Sequence, residues 1–449
     1  MDTPRRHVFL TFLGTGAYQV AAYTHGGRTL TPTRYAALAE LEGPLAEDRP
    51  SQVYVVATKT ALERHGEQRT TIDRATGAST PCGEGLLPQL RRVHAAVEEI
   101  PMTELLSTEA QWGFFEQLLA YIQPGDAVSI DMTHGFRATP IVLSSALHFL
   151  RIARGIELRH VFYAVHDAAP PAIVDYREFY AINEWTEAVG RLVDDADARR
   201  LATLSRTPGV LPMPGLSAGA VPDSLMNLTA VIRDVDIQNV ARVAAEAIRS
   251  VEEARREATG ASALLLDMVL EKFGSLVGQP PASGRYDAAY FSVQLALVEL
   301  LLAHGLNMQA FTTLRECVGS LGLHVASGLP SRDLRKVKAA KSARWRADAF
   351  GAMLSREEST WKFEGDAARF QGDVLPWFRA LEAVGVVEAL RGPMQEVQKL
   401  RNGFDHAWTT ETYPREALGD RGRALLAAVR GAVATIEATF TAPPASAVN

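Results

Sequence analysis

The sequence predicts an α/β domain built on a mostly parallel sheet, followed by an all-α domain. Three observations carry this. Over the first 180 or so residues, short apolar runs alternate with helical patterns, the sign of a sheet covered by helices. From Trp185 onward the strand signals vanish. Between the two halves, Thr207 to Pro222 (TPGVLPMPGLSAGAVP) is rich in Pro and Gly, as linkers are. A chain of 449 residues also exceeds one comfortable core. The expected division is 1–182 for the α/β domain, 183–222 for a connecting helix and linker, 223–440 for the helical domain, and 441–449 for a disordered Ala/Pro-rich tail.

In chain order, His7 to Leu13 (HVFLTFL), Gln52 to Ala57, Ala127 to Asp131 and Leu158 to Val165 read as strands. Gly26-Gly27 between two β-prone runs predicts a hairpin within Tyr18 to Leu30, edging the sheet or reaching a partner subunit. Trp112, Phe115, Leu118, Leu119 and Ile122 recur at the spacing of one helix face, and Pro124-Gly125-Asp126 ends that helix. Trp185 to Leu201 reads as the connecting helix. Further helices are expected over Leu225 to Ala258, Ala261 to Phe273, Tyr286 to His304, Met308 to Leu321, Trp377 to Leu390, Pro393 to Phe404 and Arg415 to Phe440.

The composition, 47% hydrophobic and 22% charged, is that of an ordinary soluble chain. A net charge of -6 argues against coating nucleic acid over the whole surface, so any RNA contact must be focused. Cys82 and Cys317 stand alone, which indicates neither a disulfide scaffold nor a zinc site and fits a reducing cytoplasm. The apolar run after Arg5-Arg6 stops at Leu13 without a clean cleavage site and reads as a strand rather than a signal. The longest later apolar stretch, Ala138 to Leu150, ends at Arg151, short of the ~18 residues of a membrane span.

Two loops follow strands where open α/β sheets collect ligands. Gly14-Thr15-Gly16, with Tyr18 close behind, offers backbone N–H groups and a hydroxyl to a phosphate. A dinucleotide site is disfavoured, because GTGAYQ lacks the third glycine of GxGxxG. A plain tight turn remains the other reading. In the second loop, DMTHGFRATP, Thr133, His134, Gly135 and Arg137 cluster beside an apolar strand and are suited to phosphate or ribose oxygens. Thr58 and Lys59, ending another strand, are expected on the same rim.

Near the end, RNGFDHAW closes a helix whose apolar positions are Met394, Val397, Leu400 and Phe404. On an ideal helix Arg401 and His406 lie about 140° apart, so they do not share a face. Arg401 and Asp405, four apart, form a surface ion pair just as well, and spacing alone favours that reading over catalysis. The stretch from Arg332 to Arg346, with seven cations around Trp345, reads either as a base-stacking RNA contact or as a solvated helix face.

Taken together and in this order, HVFLTFLGTGAY, DMTHGFRATP and RNGFDH resemble the CRISPR-associated CARF-HEPN ribonucleases, accessory nucleases of type III systems. The resemblance spans nearly the whole chain, and DMTHGFR is its most specific element. It implies a Rossmann-like sensor domain that dimerises and binds a cyclic oligoadenylate across its two-fold axis, coupled to a helical HEPN-type nuclease dimer. Gly14, Thr15 and Gly16 match the first ligand loop, and Thr133, His134, Gly135 and Arg137 the second. Arg401, Asn402 and His406 match the nuclease motif.

By that resemblance two motifs meet at a symmetric seam, which removes the 140° difficulty. His406 exchanges protons with the RNA 2′-hydroxyl and leaving 5′-oxygen, Arg401 offsets phosphate charge, and Asn402 orients the motif. The expected protein is then a cytoplasmic homodimer, with no membrane partner, that cuts single-stranded RNA without a metal or cofactor. The expected products end in 2′,3′-cyclic phosphate and 5′-hydroxyl. A two-fold pocket suits an even ring, a tetra-adenylate ahead of a hexa-adenylate, as allosteric activator. Slow degradation of the activator at Thr133 and His134 is a further implication. The competing class is a nucleotide-sensing regulator that binds a partner without cutting RNA; the second half lacks a helix-turn-helix signature.

Overall fold

The structure is a computed structural model; it describes residues 5–72, 79–135, 139–207, 210–217, 219–277, 286–328, 340–361, 366–409, 414 and 417–441. By internal contacts the chain divides into two compact units, Met1–Ala181 and Ile182–Asn449.

The first unit runs β1 (His7–Leu13), β2 (Thr24–His25), β3 (Arg28–Thr29), α1 (Ala36–Glu42), β4 (Gln52–Ala57), α2 (Lys59–His65), β5 (Gln68–Ile72), β6 (Ser79–Glu84), α3 (Leu86–Val93), β7 (Val97–Pro101), α4 (Thr108–Tyr121), β8 (Ala127–Asp131), α5 (Thr139–Arg154), β9 (Glu157–Val165) and β10 (Ala172–Asp175). One eight-stranded sheet has the order β3-β2-β10-β9-β8-β1-β4-β7, and β5-β6 form a separate hairpin. β1 is paired in parallel on both sides, with β4 and with β8. β4 continues in parallel to β7 and β8 to β9. The chain therefore winds outward from β1 in one direction and later from β8 in the other, the Rossmann-like doubly wound arrangement.

All seven residues of β1 are buried, so they cannot alternate between core and solvent. Instead they alternate between two layers. Val8, Leu10 and Phe12 join Phe114 and Leu118 of α4 and Leu143, Leu147 and Leu150 of α5. Phe9 and Leu13 join α1, Ala61 of α2 and Leu86, Leu87 and Leu90 of α3 on the other face. Such double burial is what makes these strands read as continuous apolar runs.

The Gly26-Gly27 hairpin edges the sheet as β2-β3. The α4 face differs from expectation: the helix buries Phe114 and Leu118, while Trp112 is 60% exposed. β7 had no counterpart in the sequence reading.

The second unit is helical. It comprises α6 (Arg177–Asp195), α7 (Arg199–Arg206), α8 (Val221–Arg233), α9 (Ile237–Glu257), α10 (Gly260–Phe273), α11 (Ala288–Ala303), α12 (Asn307–Gly328), α13 (Ala340–Ser355), α14 (Asp366–Ala383), α15 (Val386–Asp405) and α16 (Leu418–Ile436), with α6 starting inside the first unit. α12 packs against α11, α13, α14, α15 and α16. Its Phe311, like Phe291, Phe350 and Phe378, is fully buried.

Four expected helices change. Trp185 to Leu201 breaks between α6 and α7, where Ala196 adopts φ 49°. Leu225 to Ala258 breaks in two, because Val235 adopts φ 56° and the Asp236 carboxylate then caps α9 by accepting from the Asn239 amide. Trp377 to Leu390 breaks at Gly385, φ 75°, which separates α14 from α15. The helix expected to begin at Pro393 begins seven residues earlier at Val386 and runs through that proline. Of the expected tail, residues 442–449 lie outside the described residues.

Candidate functional site

The switch of winding direction falls between β1 and β8, so the loops leaving those strands lie side by side. They come very close: a Cβ placed on Gly14 would stand 3.3 Å from the Gly135 amide nitrogen. Gly135 itself has φ +135°, and a Cβ there would meet the Phe12 Cβ at 3.2 Å. Gly135 therefore needs glycine for its torsion, and a side chain at Gly14 would press on the Gly135 backbone.

Around them lies a cavity of about 350 Å³ lined by Gly14, Thr15, Gly16, Ala17, Tyr18, Gln19, Tyr23, Arg34, Thr133, His134, Gly135 and His166. Six residues singled out in the sequence for two separate loops, with Tyr18, thus share one space. Arg137 lies outside the described residues. Thr58 and Lys59 do not line the cavity. The Thr58 hydroxyl instead caps α2 by accepting from the Ala61 amide at 3.2 Å, and Lys59 points to solvent beside Glu63.

Tyr18 holds the first loop. Its hydroxyl accepts from the Gly14 N–H at 2.8 Å and donates to the Gly14 carbonyl at 3.3 Å, so the amide expected to face a phosphate is already engaged. Its ring sits edge-on to His134, with centroids 4.5 Å apart, and to His65 at 4.8 Å. From α2, Arg64 donates to the Thr15 carbonyl at 3.2 Å. The second loop is held by Asp131, which accepts from the Thr133 N–H at 2.8 Å and from the Thr11 hydroxyl at 2.8 Å. The Thr133 hydroxyl in turn accepts from the Ala164 amide of β9 at 2.8 Å.

Burial dominates the electrostatics. It lowers the His134 and His65 pKa values, against the opposing pull of Asp131 on His134, and raises that of Tyr18. At neutral pH these are neutral hydrogen-bonding groups. His134 Nε2 is buried without a partner, a donor or acceptor for whatever enters. Positive charge among the described lining residues comes from Arg34, whose guanidinium donates to the Tyr18 carbonyl at 2.9 Å. Arg34, Gln19, Tyr23 and His166 were not found in the sequence.

In the second unit, Met394, Val397 and Leu400 bury the inner face of α15, and Phe404 stacks on Phe311 of α12 with centroids 6.1 Å apart. The helix ends at Asp405. His406 caps it, and Ala407 and Trp408 follow with φ 49° and 56°. The Trp408 N–H donates to the Gly403 carbonyl at 2.8 Å and the Ala407 N–H to that of Phe404 at 3.1 Å, the paired bonds of a Schellman turn. Gly403 is needed there, since a Cβ would stand 2.5 Å from the Trp408 ring.

His406 and Asn402 are exposed. Arg401 is half-buried and pairs with Asp405 at 2.9 Å, the ion pair that spacing favoured. Because His406 lies beyond the helix, the ideal-helix angle does not apply to it.

Arg344 of α13 lies near enough for the Arg401 charge to act on it; burial, first, and that charge help lower its pKa. Arg344 pairs with Glu316 and with Asp348, the latter at 3.1 Å. Of the basic stretch, 332–339 lie outside the described residues. Trp345 stacks on Phe370, and Arg346 pairs with Asp373 at 2.7 Å, so these two are held by packing within the helical unit. Among the described residues, no group of three or more His, Cys, Asp or Glu is placed to hold a metal ion, and no helix is long and apolar enough to cross a membrane.

No family model matches the chain. Over 77 residues it is 30% identical to the CRISPR-associated protein MJ1674 of Methanocaldococcus jannaschii, a match covering 16% of this chain and 12% of that protein. The chain thus spans about an eighth of the length of that relative. Comparison with Enterococcus italicus Csm6, solved bound to cyclic hexa-2′-fluoro-hexa-dAMP, gives a TM-score of 0.43 at 10% identity over 96% of this chain and 94% of that one, too distant to carry a conclusion.

The two loop glycines predict opposite results. Gly135→Ala combines a right-half torsion with a tight Phe12 contact and should cost about 1–3 kcal/mol. Gly16→Ala has open space and no positive φ, so its cost should stay below about 0.5 kcal/mol. Urea unfolding of the two variants, followed by hydrogen exchange in β1 and β8, checks the difference.

Proposed function

We propose that this chain is a CARF-HEPN ribonuclease: a homodimer whose α/β unit binds a cyclic oligoadenylate and whose helical unit then cleaves single-stranded RNA. The observation that carries the reading is the convergence of the Gly14–Gly16 and Thr133–Gly135 loops on one cavity at the switch between β1 and β8. A ring of phosphates and riboses is matched by the loop glycine amides other than that of Gly14, which Tyr18 holds, and by hydroxyls, the Arg34 guanidinium and the unpartnered His134 Nε2. Similarity to a segment of one CRISPR-associated protein agrees with this.

Dimerisation is supported by an exposed apolar ridge on α4 and α5. Ile141 is 73%, Ile152 61% and Phe149 46% exposed, and Phe149 meets Phe115 and through it Trp112. Such a patch marks an interaction surface, and two-fold pairing makes the ligand site a shared one. An activator that binds the active dimer more tightly shifts the population by its differential affinity alone. Slow breakdown of the activator would draw on Thr133 and His134.

In this reading the exposed His406 imidazole takes the RNA 2′-hydroxyl proton and that of the second copy protonates the leaving 5′-oxygen. The 2′-oxygen attacks the adjacent phosphorus, the P–O5′ bond breaks, and the products are a 2′,3′-cyclic phosphate and a 5′-hydroxyl. Because the nucleophile is supplied by the RNA, the step needs no metal-bound water. Arg401 stabilises the charged phosphorane once it exchanges Asp405 for phosphate. A partly exposed pair of this kind is worth at most about 1 kcal/mol, so the exchange costs little.

His406→Ala should abolish cleavage of labelled RNA, and wild-type products should resist direct 3′-end ligation until the cyclic phosphate is opened and the phosphate removed to leave a 3′-hydroxyl. Full cleavage by His406→Ala contradicts the assignment. Asp405→Asn should keep activity or raise it by no more than about fivefold, the equivalent of the released ion pair; a loss of a hundredfold would make Asp405 part of the chemistry.

A further inference from the structure

Seven-residue α1 buries a glutamate. Glu40 is 0% exposed, and neither of its oxygens has a partner of hydrogen-bonding geometry. Its neighbour is the carboxyl of Asp131, also 0% exposed. Two carboxylates cannot both stay ionised at close range in a site without water. Asp131 has the other claims on charge: it accepts from the Thr11 hydroxyl and from the Thr133 N–H, both at 2.8 Å. Glu40 has none, so the proton belongs on Glu40.

We propose that Glu40 is kept as a neutral acid and, by donating toward Asp131, positions the Thr133–His134–Gly135 loop for its ligand. This rests on the sensor reading for the identity of the ligand, but not for the proton. The route is short: the charge of Asp131, at the end of β8, acts on Glu40 of α1, and the same Asp131 carboxylate holds the Thr133 amide beside the cavity lining. The titratable groups facing this centre are Asp131 and Tyr23, with Tyr18 and His134 next to Asp131. None is a cation at neutral pH that would hold Glu40 ionised. Burial, then Asp131, pushes the Glu40 pKa well above its ordinary 4.5.

The sign follows from linkage. The folded protein keeps a proton that the unfolded chain releases near pH 4.5, so this contribution is fully present below that pH and is lost as pH rises toward the folded-state value. His7, His65 and His134, whose pKa values burial lowers, act oppositely around pH 6.5. Comparison with a non-titrating variant removes them.

Full-length wild type, Glu40→Gln and Glu40→Met are to be compared by hydrogen exchange in β1 and β8 from pH 5 to 8. Wild type should lose protection relative to Glu40→Gln by up to about tenfold per pH unit; parallel profiles overturn the neutral acid. The Thr133 amide should exchange at least about tenfold faster in Glu40→Met, which fills the space without a donor, than in Glu40→Gln; equal rates overturn the positioning role. Cyclic tetra-adenylate should bind Glu40→Gln within about threefold of wild type and Glu40→Met at least about tenfold more weakly. If wild type binds no cyclic oligoadenylate, the sensor reading fails while the exchange data still decide the role of Glu40.

Discussion

The parallel pairing of β1 with strands on both sides is the constraint from which the first unit follows. A strand buried on both faces and both edges must be apolar or have its polar side chains partnered: five residues of HVFLTFL are apolar, His7 bonds to Ser129 and Thr11 to Asp131. Because β4 and β8 flank it, the crossovers leave in opposite directions and their loops cannot cover one another's strand ends. An open crevice results. Its walls are Gly14 and Gly135, brought within van der Waals contact because neither carries a side chain.

The crevice is furnished by groups that burial keeps neutral. Tyr18 spans the two loops, bonded to Gly14 and wedged beside His134, while Asp131 fixes the Thr133 backbone from below. Among the described residues, a polyanionic ligand would meet hydrogen-bond donors held in place and the Arg34 charge. That economy fits a chain of net charge -6. In the second unit the same logic is inverted. Helix α15 is anchored by Leu400 and Phe404, and its end, which carries His406, is turned out by a Schellman motif in which two non-glycine residues take positive φ.

Much of this was legible because it is local. Apolar runs gave β1, β4, β8 and β9, Gly26-Gly27 gave the edge hairpin, and the loops after β1 and β8 stood out by their glycines and threonine. What was not legible depends on partners distant in sequence. Arg34 and His166 look like solvated loop residues until the fold brings them to the cavity. Glu40 in AALAELE reads as an ordinary surface glutamate, since a helix of about two turns carries little sign of which face is buried. β7, VEEIP, is an edge strand with two charges and so lacks an apolar signature. Val235 breaks a helix with no local cue, whereas Gly385 offered one. Thr58 pointed to a ligand rim by its position after a strand, yet the same position is where a helix takes its cap.

The central claim is that one molecule joins a cyclic-oligoadenylate sensor to a metal-independent ribonuclease. Incubating the purified full-length protein with labelled single-stranded RNA in excess chelator, with and without cyclic tetra- and hexa-adenylate, tests it most directly. Cleavage that rises at least about tenfold with one of the rings and persists in chelator is the predicted result. No cleavage under any of these conditions, or cleavage indifferent to both rings, would contradict it.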